Sequence, residues 1–191
     1  MRDLKDRIVF VTGASAGIGE ACARVFAAAE TRLLLAARRR DRLESLAREL
    51  ADSHGTESHL LELDVRDRDT VATTLGSLPE AWGGIDILVN NAGLSRGLEP
   101  LHEGSIDDWE EMIDTNVKGL LYVTRAVLPG MVERGEGHVV NIGSIAGREA
   151  YPGGNVYSAS KSAVAILTRG LRIDLSGTGV RVTNIEPGLV D

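Results

Sequence analysis

Short apolar runs alternate along the chain with longer segments of helical period. The apolar runs predict six strands, at 8–12, 32–37, 59–63, 85–90, 138–143 and 180–186. Between them the pattern predicts helices near 17–30, 39–53, 66–76, 105–134 and 155–176. The strands are almost continuously apolar, which is typical of a parallel sheet covered by helices on both faces. The sequence therefore predicts an α/β fold with a doubly wound parallel sheet in a three-layer sandwich.

Length and composition narrow the class of protein further. A chain of 191 residues, 43% of them hydrophobic, predicts a single domain over residues 1–191. The formal net charge of -7 argues against nucleic acid and anionic membrane surfaces as partners. No apolar run could serve as a signal peptide or span a bilayer. A small anionic ligand held by a local basic patch remains possible.

Cysteine and histidine add little chemistry. Cys22 is the only cysteine, which fits a reducing compartment, and we expect a cytoplasmic protein. The four histidines do not have the spacing of metal ligands, so we expect no metal site.

A glycine-rich turn, TGASAGIG at 12–19, follows the first strand and leads into a helix. Gly13 permits a tight turn, while Gly17 and Gly19 allow a pyrophosphate to approach the helix N-terminus. The predicted cofactor contacts here are Gly13, Ser15, Gly17, Ile18 and Gly19. The GxxxGxG spacing differs from the usual GxGxxG, and the alternative is a turn that only connects strand to helix.

Two arginines, Arg38 and Arg39, follow the second strand at the point where an NAD site carries an acidic residue. A guanidinium can bind the 2′-phosphate of NADP in a bidentate manner. One such charged hydrogen bond contributes about 1.5 to 3 kcal/mol, which favours NADP over NAD roughly tenfold to a hundredfold. The alternative is a solvated basic start to the next helix.

The remaining strand ends are also polar or rich in glycine. They supply further candidate cofactor contacts at Asp64, Val65, Asn91, Ala92, Gly93, Pro187 and Gly188. Asn and Ser at such junctions often serve only as caps and turn formers. Asn116 lies in the mainly apolar helical segment MIDTNVKGLLYVT, where an amide needs a partner. Its side chain either satisfies a neighbouring backbone group or holds a water molecule.

Tyr157 and Lys161, in YSASK, are four residues apart on a predicted helix and therefore share a face. An ammonium about 6 Å away at an effective dielectric of about 20 favours the phenolate by roughly 3 kcal/mol. Tyr157 could then exchange a proton with an alcohol, and Ser144 could hydrogen-bond the same oxygen. Pairs with this spacing are common, so the spacing alone is weak evidence.

TGASAGIG, NNAG, Asn116, Ser144 and YSASK, in this order, resemble the short-chain dehydrogenase/reductase family. The resemblance implies a Rossmann-type fold, with Tyr157 as catalytic acid and base and Lys161 on the nicotinamide ribose. It also implies that Ser144 positions the substrate oxygen and that Asn116 holds a relay water. The adenosine side would contact Asp64, Val65 and Asn91, and the nicotinamide side would be flanked by Pro187, Gly188 and Val190.

Longer stretches, including IDILVNNAGL and MIDTNVKGLLYVTRAVLPGMVERG, resemble the NADP-dependent 3-hydroxy acid dehydrogenases of this family. The likeness implies oxidation of L-serine, L-allo-threonine and related acids, and Arg148 is a candidate partner for their carboxylate. The family continues beyond PGLV, so we expect this chain to lack a substrate-covering segment and the last strand. The family also pairs its two long helices, which implies a homodimer or homotetramer.

Other functions remain open at this point. One alternative is a reductase of the same family that acts on a steroid, sugar or acyl thioester. Another is an NADP-binding regulator that has kept the fold without turnover. The complete set of Asn116, Ser144, Tyr157 and Lys161 argues against the regulator, since ligand binding alone does not need both Tyr157 and Lys161.

Overall fold

A parallel β-sheet forms the centre of the protein in a computed structural model that describes residues 4–189. Its six strands are β1 (Ile8–Thr12), β2 (Arg32–Ala37), β3 (Ser58–Glu62), β4 (Ile87–Asn90), β5 (Gly137–Ile142) and β6 (Val180–Ile185). The strand order is β3-β2-β1-β4-β5-β6, so β1 and β4 lie side by side in the middle. Val11 of β1 is aligned with Leu35 of β2 and with Val89 of β4.

Helices connect successive strands. They are α1 (Gly17–Ala28), α2 (Arg40–His54), α3 (Arg68–Gly76), α4 (Glu80–Gly83), α5 (Ile106–Ile113), α6 (Leu120–Arg134) and α7 (Asn155–Asp174). A π-helical segment, Asp114–Gly119, joins α5 directly to α6, and a short 3-10 helix, Ile145–Gly147, follows β5. No helix within residues 4–189 is long and apolar enough to cross a membrane.

Alternate residues of the strands pack into two apolar layers, one on each face of the sheet. On one face Phe10 and Leu34 pack with the α6 residues Val123 and Met131. On the other face the neighbouring strand positions pack against α1 and α2, where the buried α2 positions are Leu43, Leu46 and Leu50. This alternation follows from the two-residue period of a strand, and it leaves the carboxyl ends of the strands open for a site.

The sequence predicted the architecture correctly. All six strands are confirmed, β1 and β2 with the predicted bounds and the others within two residues. The helix predicted over 105–134 consists of α5, the π-helical segment and α6. The short helix α4 and the 3-10 helix were not predicted, because three or four residues carry no readable period.

Candidate active site

A cleft of about 570 Å³ runs across the carboxyl ends of the strands. It crosses the point between β1 and β4 where the strand order reverses, which is where open α/β sheets bind ligands. Its volume is within the range of roughly 300 to 1,000 Å³ that is usual for ligand sites. Most of the predicted site residues line this cleft: Gly13, Ser15, Gly17, Ile18, Arg38, Arg39, Asp64, Val65, Asn91, Ala92, Gly93, Ser144, Tyr157, Lys161, Pro187 and Gly188.

The glycine-rich turn forms one wall of the cleft. Gly13 has a φ of +65°, and a Cβ there would lie 2.9 Å from the Asn91 Nδ2 atom and from the Ala92 Cα atom. Gly17 has no neighbour within 4 Å of an added Cβ, so its backbone is open to a ligand. Gly19 does not line the cleft, since a Cβ there would collide with the Gly13 carbonyl oxygen and with Asn91. The structure therefore gives Gly19 a packing role behind the turn.

Asn91 and Thr12 fasten this turn to the end of β4. The Asn91 amide nitrogen Nδ2 donates to the carbonyl oxygens of Thr12, at 2.9 Å, and Gly13, at 3.2 Å. The Thr12 hydroxyl accepts from the backbone nitrogens of Asn91, at 3.1 Å, and Ala92, at 3.0 Å. Thr12 is 1% exposed, so it shapes the site from beneath. Sequence analysis did not single out Thr12, although it begins the TGASAGIG motif.

The two predicted arginines lie at the end of the cleft beside β2. Arg39 donates from Nη2 to the Ser15 hydroxyl at 2.9 Å, which fixes its guanidinium against the glycine-rich turn. The Arg38 side chain is 55% exposed, and its Nη1 lies 3.7 Å from Glu111 Oε1. A phosphate at this end would meet two guanidinium groups, which fits an NADP 2′-phosphate.

Asp64 and Val65 line the cleft at the end of β3. Asp64 accepts three side-chain hydrogen bonds from Arg66: Nε–Oδ1 and Nε–Oδ2, both at 3.0 Å, and Nη2–Oδ2 at 2.6 Å. Burial raises the pKa of Asp64, but the Arg66 hydrogen bonds and the charges of Arg66 and Arg38 together bring this pKa below its ordinary value. Asp64 therefore presents a charged hydrogen-bond acceptor to the cleft at neutral pH.

Asn116 lies in the π-helical segment and is 2% exposed. Its Oδ1 accepts from the Leu94 backbone nitrogen at 2.8 Å, and its Nδ2 donates to the Leu94 carbonyl oxygen at 2.9 Å. Nδ2 also donates at 3.0 Å to Ser160 Oγ, which itself donates to the Tyr157 carbonyl oxygen at 2.7 Å. The side chain thus satisfies a neighbouring backbone segment, the first of the two roles that its polarity predicted. It does not line the cleft.

Tyr157 and Lys161 lie on the first turns of α7 and face the cleft together. The Lys161 Nζ lies 5.8 Å from the centroid of the Tyr157 ring and donates to the Ile142 carbonyl oxygen at 2.9 Å. Lys161 is 7% exposed, and burial lowers its pKa to about 8. The ammonium therefore remains mainly protonated at neutral pH, beside the tyrosine ring.

Ser144 lies between β5 and the 3-10 helix, on the same part of the cleft wall as Tyr157 and Lys161. Its hydroxyl accepts from the Ala146 backbone nitrogen at 3.1 Å, which fixes the direction of the side chain. A hydroxyl that accepts in this way can still donate its own proton. The Ser144 hydroxyl proton is thus available to a ligand in the cleft, on the wall that Tyr157 also lines.

The structure does not bring Arg148 to the cleft. Its side chain is 72% exposed and forms an ion pair with Glu186. Glu186 is 16% exposed and also accepts from Asn184 Nδ2 at 2.8 Å, so this carboxylate is a fixed partner for Arg148. The predicted contact with a substrate carboxylate therefore finds no support in the geometry. Val190, another predicted contact, lies outside the described residues.

Several residues line the cleft that sequence analysis did not single out. They are Ala16, Ala37, Leu63, Leu94, Ser95, Thr115, Ile142, Gly143 and Leu189. Most are apolar and sit in or beside strands, where their pattern is the same as that of core residues. Leu94 and Ser95 directly follow NNAG, and this adjacency was the available signal. Within residues 4–189 no group of three or more His, Cys, Asp or Glu side chains could hold a metal ion.

These features define a class of protein. The cleft lies at the switch point of the sheet, with the glycine-rich turn and the two arginines at one end and Ser144, Tyr157 and Lys161 at the other. This arrangement is that of a dinucleotide-dependent oxidoreductase. The family model described as short chain dehydrogenase matches residues 7–191. The chain belongs to the short-chain dehydrogenase family.

Two curated relatives are similar over nearly the whole chain. The NADP-dependent 3-hydroxy acid dehydrogenase YdfG of Escherichia coli (strain K12) is 55% identical over 183 residues, which are 96% of this chain and 72% of that protein. Sulfoacetaldehyde reductase 2 of Chromohalobacter salexigens is 49% identical over 185 residues, 96% of this chain and 73% of that protein.

A solved structure is equally similar. The closed form of serine dehydrogenase complexed with NADP+ superposes with a TM-score of 0.91 at 55% identity. The superposition covers 96% of this chain and 73% of that one.

Proposed function

We propose that this protein is an NADP-dependent dehydrogenase that oxidises the alcohol of a short 3-hydroxy acid or reduces the corresponding carbonyl. One observation carries the proposal: Ser144, Tyr157 and Lys161 meet at one end of a cleft whose other end holds Arg38 and Arg39. The identity of 55% with an NADP-dependent 3-hydroxy acid dehydrogenase supports both the cofactor and the substrate class.

The residues of the chain fit a bound NADP. The open backbone at Gly17 would hold the pyrophosphate at the start of α1, with Gly13 shaping the turn. Arg38 and Arg39 would hold the 2′-phosphate, and Asp64 the adenine amino group. When bound, the nicotinamide supplies the hydride chemistry.

The protein's own part in the reaction is to handle a proton. Ser144 would hold the substrate oxygen, and Tyr157 would take the alcohol proton during oxidation or return it during reduction. Lys161 would hold the ribose of the nicotinamide, and its Nζ lies 5.8 Å from the centroid of the Tyr157 ring. Asn116 would act through Leu94 and Ser160, whose hydrogen bonds hold the loop after β4 against α7.

A second candidate substrate is a short anionic aldehyde such as sulfoacetaldehyde. The identity of 49% with sulfoacetaldehyde reductase 2 favours this alternative. Both candidates are small and carry an anionic group, so they need the same proton-transfer residues. They differ in the direction of reaction and in the anion that is recognised.

We also propose a homodimer or homotetramer in the cytoplasm. Exposed apolar side chains on the two long helices support the assembly: Leu121 and Val132 on α6, and Ile166 and Ile173 on α7. Their spacings of eleven and seven residues each place the two side chains on one face of their helix.

The first experiment measures nicotinamide absorbance with NADP or NAD and a panel of L-serine, L-allo-threonine, 3-hydroxyisobutyrate and simple secondary alcohols. Sulfoacetaldehyde with NADPH tests the second candidate. We expect NADP reduction with the 3-hydroxy acids and little with the simple alcohols. Reduction confined to NAD, or confined to the simple alcohols, would contradict the proposal.

The mechanism is tested by Tyr157→Phe. This variant should lose turnover by about a thousandfold or more, because a group that transfers the proton is absent, while NADP still binds. Tyr122→Phe, on α6, is the matched control and should keep normal turnover. Turnover of Tyr157→Phe within tenfold of the wild type would rule out Tyr157 as the acid and base.

A further inference from the structure

One carboxylate, Glu111 of α5, lies among three arginines at the adenosine end of the cleft. Its closest partner is Arg96, whose Nε lies 2.9 Å from Oε2. Arg66 Nη1 lies 3.4 Å from Oε1, and Arg38 Nη1 lies 3.7 Å from the same oxygen. The sequence predicted no cofactor contact for Glu111, and its negative charge is unfavourable beside a phosphate.

The three arginines hold Glu111 unequally. Arg66 also clamps Asp64, and the Glu111 side chain is only 20% exposed, so this part of the cluster is ordered. Arg38 is the looser member, with a side chain that is 55% exposed. The hydrogen bond from Arg96 and the surrounding arginine charges outweigh the effect of burial and lower the pKa of Glu111, so this group is charged at neutral pH.

We propose that Glu111 limits the preference for NADP over NAD by competing with the 2′-phosphate for Arg38. This inference rests on the proposed function, since it takes Arg38 as a phosphate ligand. A phosphate held by Arg38 is separated from Glu111 by about one guanidinium group, a distance comparable with the Debye length of about 8 Å. The carboxylate therefore repels the phosphate and also lowers the positive potential of the arginines.

Glu111 would strengthen phosphate binding if it ordered the Arg38 side chain before the phosphate binds. The geometry makes this ordering effect smaller than the repulsion. A pair at 3.7 Å with an arginine that is more than half exposed fixes little side-chain freedom. Repulsion from a mostly buried carboxylate is less screened by solvent. Removal of the Glu111 charge should therefore tighten the binding of a 2′-phosphate.

The test measures binding by calorimetry with two probes, adenosine 2′,5′-bisphosphate and AMP, which differ only in the 2′-phosphate. Glu111→Gln should bind the bisphosphate roughly three- to tenfold more tightly than the wild type, with AMP binding unchanged. Glu111→Asp keeps the charge, and Glu110→Gln removes a charge from the exposed side of α5. Both should stay within about twofold of the wild type. The gain in Glu111→Gln should shrink at 0.5 M NaCl, which a structural defect would not produce.

The outcomes separate this inference from the proposed function. Weaker bisphosphate binding by Glu111→Gln, or an equal change for both probes, overturns the role of Glu111. Arg38→Ala should lose most of the wild-type preference for the bisphosphate. A wild type that binds both probes equally overturns the NADP preference and the role of Glu111 together. Glu111→Ala is a second uncharged variant, in case the Gln side chain disturbs folding.

Discussion

Lys161 carries its charge where burial makes that charge unfavourable. It is 7% exposed, and burial lowers its pKa from 10.5 to about 8. Below pH 8 the folded and unfolded chains both hold the proton, so the folded state bears the full cost of burying the ammonium. Between pH 8 and 10.5 the folded chain releases the proton first and the cost declines. The lowered pKa of Lys161 corresponds to about 3 kcal/mol of folding stability, which the protein loses below pH 8 by burying this ammonium.

We expect Lys161→Met to be more stable than the wild type at pH 7 by about 2 kcal/mol. The gain is smaller than the full cost, because the hydrogen bond to the Ile142 carbonyl oxygen is lost. The gain should fall as the pH rises from 8 to 10.5, because the wild type then no longer bears the cost of a buried charge. Urea unfolding at a series of pH values measures it. Lys118→Met, which removes an exposed lysine paired with Asp114, should show no such gain. If Lys161→Met were less stable than the wild type at every pH, the argument would be wrong.

At the residue scale, sequence motifs predicted which side chains line the cleft, but they did not predict the ion pairs that those side chains form. Tyr157, Lys161 and Ser144 lie together because their spacing fits β5, the 3-10 helix and α7. Arg148 was expected at the substrate because it follows Ser144 closely, but its side chain is mostly exposed and pairs with Glu186, which is distant in sequence. An ion pair between distant residues leaves no periodic signal, so sequence alone could not reveal it.

At the scale of elements, a buried polar network joins the sheet to the helices that flank the site. Asn90 of β4 donates from Nδ2 to Thr124 Oγ1 at 2.8 Å and to Asn141 Oδ1 at 2.9 Å. Asn141 of β5 donates in turn to Thr168 Oγ1 of α7 at 2.9 Å. All four side chains are at most 4% exposed. The network fixes the position of the helix that carries Tyr157.

Thr168→Val tests this coupling, since the two side chains have nearly the same shape. We expect a loss of about 1 to 3 kcal/mol in the free energy of unfolding, because Asn141 loses its buried acceptor. Thr168→Ser keeps the hydroxyl and should lose less. Denaturant unfolding gives both values. An unchanged free energy of unfolding in Thr168→Val would contradict the role of this hydrogen bond.

The elements themselves were largely readable from the sequence. Continuous apolar runs predicted the strands, and amphipathic spacing predicted the long helices. The π-helical segment Asp114–Gly119 could not be read, because its residues suit an α-helix equally well. Its place in the fold depends on tertiary contacts, including the hydrogen bonds between Asn116 and Leu94.

At the scale of the whole molecule, the exposed apolar faces of α6 and α7 bear on assembly. Ile166 and Ile173 are 60% and 77% exposed, and burying such side chains in an interface is favourable by roughly 25 cal/mol per Å². The exposure agrees with the proposed dimer or tetramer.

We expect Ile166→Asp to lower the molecular mass in solution, measured by light scattering after size exclusion, from that of the wild-type oligomer. A buried unpaired carboxylate at an interface is strongly unfavourable, which is the reason for the shift. Val25→Asp changes an exposed apolar residue of α1, at 70% exposure, and should leave the mass unchanged. A monomeric wild type would contradict the assembly.

The strand order divides the sheet into two halves, and each half is built from one continuous part of the chain. Residues up to Val65 build the glycine-rich turn, the arginine pair and the adenine end, whereas residues from β4 onward carry Ser144, Tyr157 and Lys161. Within the described sheet, only β1 and β4 pair across the two parts. A crossover between relatives in the stretch from α3 to β4 would exchange the glycine-rich turn and the arginine pair while leaving Ser144, Tyr157 and Lys161 in place. Glu111 belongs to the second part and reaches Arg38 in the first, so such a hybrid would inherit its cofactor preference from both parents.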